Sequence, residues 1–129
     1  AVAVCVIQYA LLFGFLAFNR SRPAWPIFVF LGSLGNFLVI LFNGGCMPVS
    51  AALLDVSSDR LTQLAQNRIY AYTLMTKQTR LPLLGDILQL GSAGMPFGFA
   101  SIGDLVLCIG IAILFFQLVR AKQTTQPSA

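Results

Sequence analysis

The residues able to do chemistry in this chain are few. Its 129 residues include no histidine and no glutamate, with four aspartates and three cysteines as the acidic and thiol inventory. Without histidine, a Ser–His or Cys–His nucleophile pair cannot be assembled from the chain alone. Without histidine, glutamate or a C-x-x-C pair, no metal site is expected, and no cofactor is indicated. Neither G-x-x-x-x-G-K-[ST] nor G-x-G-x-x-G occurs. Cys5 and Cys108 lie inside apolar runs, where a thiol acts as a small hydrophobe, and Cys46 lies in a turn.

The aspartates differ in surroundings. Asp55 and Asp59 stand among polar residues and read as solvated or capping charges. Asp104 completes the S-x-x-D spacing of a capping box with Ser101, at the start of an apolar helix whose free N–H groups and positive dipole end favour a carboxylate. Asp86 is flanked by Leu83-Leu84-Gly85 and Ile87-Leu88, so it needs a partner or a shifted pKa. Arg80 is the nearest cation in sequence and can pair with a carboxylate through two parallel hydrogen bonds. The expected polar cluster, binding or structural, is Asn36, Asn43, Arg80, Asp86 and Asp104. It is held either as a fold-locking ion pair or as a site for a lipid headgroup, quinone or ion.

The elements that must position these residues are set by composition. The chain is 57% hydrophobic and 9% charged, with mean hydropathy +0.83. A soluble domain carries about 25% charged residues, so lipid is the expected solvent. The net charge of +4 is dispersed and forms no basic, aromatic-interleaved face, which argues against nucleic acid.

The expected fold class is all-α, an integral membrane protein with about three transmembrane helices. Residues 1–18 read as the first, covering roughly 26 Å at 1.5 Å per residue, and the chain reads as processed or incomplete at its N-terminus. Residues 19–25 form a cytoplasmic turn carrying Arg20 and Arg22, and 26–42 the second span, opened by Pro26. Gly32 and Gly35 on that span, with Asn36 beside them, are expected to pack against another helix. At Asn43-Gly44-Gly45-Cys46-Met47-Pro48-Val49-Ser50 the helix cannot continue.

Residues 43–101 are then expected to form an extracytoplasmic helical or re-entrant cap. It contains an amphipathic helix over 60–75, with Leu61, Leu64, Ala65, Ile69, Tyr72 and Met75 at a period near 3.6. A short apolar segment follows from Leu81, broken by Pro82 and Gly85. Residues 102–119 form the third span, and 120–129 a cytoplasmic tail opened by Arg120 and Lys122.

Three stretches together resemble an uncharacterised bacterial multi-span membrane-protein family, a domain of unknown function. They are the NGG-x-MPVS turn at 43–50, the TRL-x-x-LGD stretch at 79–86, and SIGD at 101–104. The resemblance implies further apolar sequence upstream, and a histidine in relatives where this chain has Tyr72. It implies no activity. The expected function is therefore a non-enzymatic accessory or structural subunit of the bacterial cytoplasmic (inner) membrane. Its partners would be the lipid bilayer and a larger membrane-protein complex, with the C-terminus cytoplasmic. The alternative is a small lipid-, quinone- or ion-binding carrier.

Overall fold

The computed structural model describes residues 1–54, 59–66, 69–92 and 95–124. Three long helices carry the architecture: α1 (Val2–Phe18), α2 (Trp25–Phe42) and a C-terminal helix, Ile102–Thr124. Between the last two lie β1 (Met47–Val49), α3 (Asp59–Ala65), β2 (Tyr72–Leu74), β3 (Leu88–Ser92) and β4 (Met95–Ala100), so the C-terminal helix is α4. Short 3₁₀ turns occupy Ala51–Leu53 and Pro82–Leu84. By length and composition, α2 and Ile102–Lys122 of α4 can cross a membrane; α1 is apolar but shorter, at 17 residues.

The helices form an antiparallel bundle with α2 in the middle. Along the α1–α2 seam, the Tyr9 and Phe37 rings lie 5.1 Å apart and Phe13 meets Phe37 edge-on at 5.8 Å. At the far end of the seam, Leu16, Trp25 and Val29 are buried together, covered by Leu107, Ile113 and Leu114 of α4. The Gln117 side-chain amide donates to the Pro23 carbonyl at 3.0 Å. Arg20, Arg22, Arg120 and Lys122 therefore cluster at one end of the bundle, and the described residues of 43–101 lie at the other.

The all-α expectation is corrected by that segment, whose described residues include four short strands paired in two sheets. β1 pairs in parallel with β2, Met47 opposite Tyr72 and Val49 opposite Leu74. On its other side β1 meets Asp86: the Asp86 N–H donates to the Pro48 carbonyl and the Ser50 N–H to the Asp86 carbonyl, both at 2.9 Å. Pro48 is tolerated because its missing N–H falls where that second ladder begins. β3 and β4 make an antiparallel hairpin.

The helix expected over 60–75 is α3 alone and ends at Ala65. Beyond it, Ala71 takes a left-handed conformation (φ 63°) and the chain turns into β2. Tyr72-Thr73-Leu74 is favourable strand sequence, and β1 supplies the partner that helical periodicity leaves out of account. The apolar positions still serve a core: Leu64 is buried with Val49 and Leu54, against Ile69, Leu74 and Phe99. Asp55, one of the two aspartates read as solvated or capping charges, lies outside the described residues, as do Ser57, Ser58, Asn67 and Arg68.

Candidate functional site

The polar residues gather where the bundle meets the cap, in three separate arrangements. The first joins α2 to α4. Ser101 and Asp104 form the expected capping box: the Asp104 N–H donates to Ser101 Oγ at 3.0 Å and the Ser101 N–H to Asp104 Oδ2 at 2.9 Å. Asn36 closes the ring from α2, its Nδ2 donating to Asp104 Oδ1 at 2.6 Å while its Oδ1 accepts from Ser101 Oγ at 2.8 Å. Ser101 and Asn36 are buried. Every polar atom in the ring is used, the condition under which buried polarity fixes one arrangement instead of destabilising it.

This ring needs close helix approach, and glycines supply it. A Cβ on Gly103 would strike the Asn36 side chain and lie 2.8 Å from the Gly32 carbonyl oxygen. A Cβ on Gly32 would strike the Gly103 carbonyl and lie 2.6 Å from the Leu107 nitrogen. Gly110 meets Val29 in the same way one turn-pair further along. Gly32 is thus a helix-packing residue. Gly35 is not at this contact; it faces the Pro82–Leu84 turn, with the Leu84 Cδ2 3.9 Å from where its Cβ would be.

The second arrangement is Asn43 with Arg80. The Asn43 Nδ2 donates to its own helix at the Val39 carbonyl (2.7 Å) and to the Arg80 carbonyl (2.8 Å), while its Oδ1 accepts from the Arg80 N–H (3.0 Å). The amide acts as a peptide group, ending α2 and holding the 79–81 backbone to it. The Arg80 contribution is main chain, and its side chain is exposed.

The third is Asp86, buried beside β1. Gly85 makes its approach possible, since a Cβ there would lie 2.6 Å from the Pro48 carbonyl oxygen. The expected Arg80–Asp86 ion pair is not formed among the described residues: one side chain is exposed, the other buried. Burial, then the nearby Asp104 carboxylate, push the Asp86 carboxyl up to about 6. Burial and the same two carboxylates raise the Tyr72 phenol. The five expected residues therefore lie near one seam but divide between three tasks.

Sequence reading left Ser101, Gly103 and Gly110 out of the site. Ser101 was reachable through the S-x-x-D spacing, and the two glycines through their seven-residue separation on one helix face. Among the described residues, no cluster of three or more His, Cys, Asp or Glu side chains could hold a metal. A crevice of about 220 Å³ opens beside the seam, lined by Cys5, Gln8, Tyr9, Ile40, Gly45 and Tyr70, among others.

The model of one family, described as a family of unknown function (DUF5317), matches residues 1–116. No curated protein and no solved structure matches the chain.

Proposed function

We propose that this chain, which belongs to the DUF5317 family of unknown function, is a non-enzymatic membrane subunit that packs against larger membrane partners. One observation carries the reading. The Asn36–Ser101–Asp104 ring and the Asn43–Arg80 join consume their polar groups in holding the fold, while the helices leave broad apolar faces uncovered. On α4, Ile109, Phe115, Phe116, Leu118 and Val119 are exposed, and on α1, Ile7, Leu11, Phe15 and Phe18 are. Such faces need lipid or another helix against them.

In this reading α1, α2 and α4 all cross a bacterial cytoplasmic membrane. The arginine-bearing end faces the cytoplasm, with the C-terminus there, and the 43–101 segment caps the outer side. The Pro82–Leu84 turn, reaching down beside Gly35 with Leu83 exposed, enters the outer leaflet. The test is purification of the tagged full-length protein in mild detergent, with mass measurement and identification of what accompanies it. A stoichiometric membrane-protein partner is the expected result. A monodisperse monomer carrying a bound lipid or quinone would replace this reading with the carrier alternative, which the crevice at Gln8, Tyr9 and Tyr70 favours.

A further inference from the structure

Asp86 is 4% exposed, and among the described residues its carboxylate has no ion-pair or hydrogen-bond partner. Its main chain, by contrast, is fixed on both sides by Pro48 and Ser50. The residue is therefore held in place by its backbone, with its carboxylate unpaired among the described residues and nearly withdrawn from water. Among the described residues, the titratable groups coupled to it electrostatically are Asp104 of α4 and Tyr72 of β2. β1, α2 and the Pro82–Leu84 turn contain no charged residue at all, and the Asn36 amide is already committed to Ser101 and Asp104.

We propose that Asp86 is a proton-binding latch. Neutral, it lets the 81–86 arm lie between β1 and the first turn of α4; ionised, it repels Asp104 and loosens that arm. Leu81 sits in a left-handed conformation (φ 54°) that a γ-branched residue rarely adopts, and the arm is held by the Asn43–Arg80 join at one end, the Asp86 ladder on β1 at the other and the Leu84 contact with Gly35 between them. Burial and Asp104 together place the exchange between the two states near pH 6, in mildly acidic to neutral solution. This inference does not rest on the existence of a membrane partner.

The experiment is amide hydrogen exchange of the full chain in detergent, corrected for the intrinsic pH dependence and referenced to the α2–α4 contact. Protection over 79–90 is expected to fall by about tenfold or more between about pH 5 and about pH 8, and to stay high and level in Asp86→Asn. A level profile in the unsubstituted protein, or the same fall in Asp86→Asn, would overturn the latch. Should Asp86→Asn not fold, the ¹³C-carboxyl resonance of Asp86 in the unsubstituted protein decides. A midpoint within about one unit of 6 supports the latch, and one at the ordinary carboxylate value of about 4 removes it.

Discussion

At the scale of single residues, Asn36 matters because it is the only member of its ring that comes from α2. It donates to Asp104 and accepts from Ser101, so Asn36→Ala leaves a carboxylate oxygen and a hydroxyl without their partner inside a closely packed contact. The expected loss is about 1–3 kcal/mol, read as a lowered unfolding temperature in detergent. Asp86 acts in the opposite sense. Its folded-state pKa is raised, so the protonated form is the better accommodated one. Its contribution is full below the unfolded value near 3.8 and is lost as pH rises through about 6. Across that span, stability is expected to fall by at most about 3 kcal/mol, and Asp86→Asn should flatten the profile. Thermal unfolding as a function of pH measures both. The apolar flanks of Asp86 call for a partner or a shifted pKa without deciding between them. The sequence places Arg80 as the natural partner of Asp86, but the chain spends the Arg80 backbone on Asn43 and turns its side chain outward.

At the scale of elements, the helices were legible and the cap was not. Apolar runs bounded by Pro26 and by Asn43-Gly44-Gly45 set α2 within a residue of its observed ends, because helix limits are local signals. β1 is three residues long and its partner lies 25 positions away, so no window sees the pair. The same locality explains why Gly32 and Gly35 looked alike in sequence. In space they differ. A methyl at Gly32 meets α4 backbone, which cannot yield without moving the helix, whereas a methyl at Gly35 meets only the end of the Leu84 side chain at ordinary contact distance. Gly32→Ala is expected to cost about 1–3 kcal/mol through overpacking. Gly35→Ala should be neutral, or stabilising by up to about 1 kcal/mol through helix propensity. Comparing unfolding of the two variants in one detergent separates them, and equal losses would place the α2–α4 contact elsewhere.

At the scale of the whole molecule, the antiparallel bundle puts both basic segments at one end and the strand-built cap at the other, with α2 as the element between Arg22 and Asn43. If the bundle crosses a bilayer, this arrangement leaves only two addresses for any exposed residue. Ser21 is exposed in the basic turn and Gln78 in the cap. Single thiols can be placed at either after the three native cysteines are changed to alanine. A membrane-impermeant maleimide added to intact cells is expected to label Gln78→Cys at once and Ser21→Cys only after lysis, as positive charge held on the cytoplasmic side requires. The reverse pattern would keep the bundle and invert its orientation. Equal labelling of both from outside would take α2 out of the membrane, since it alone separates the two positions. The apolar faces of α1 and α4 would then have to be covered by protein instead of lipid.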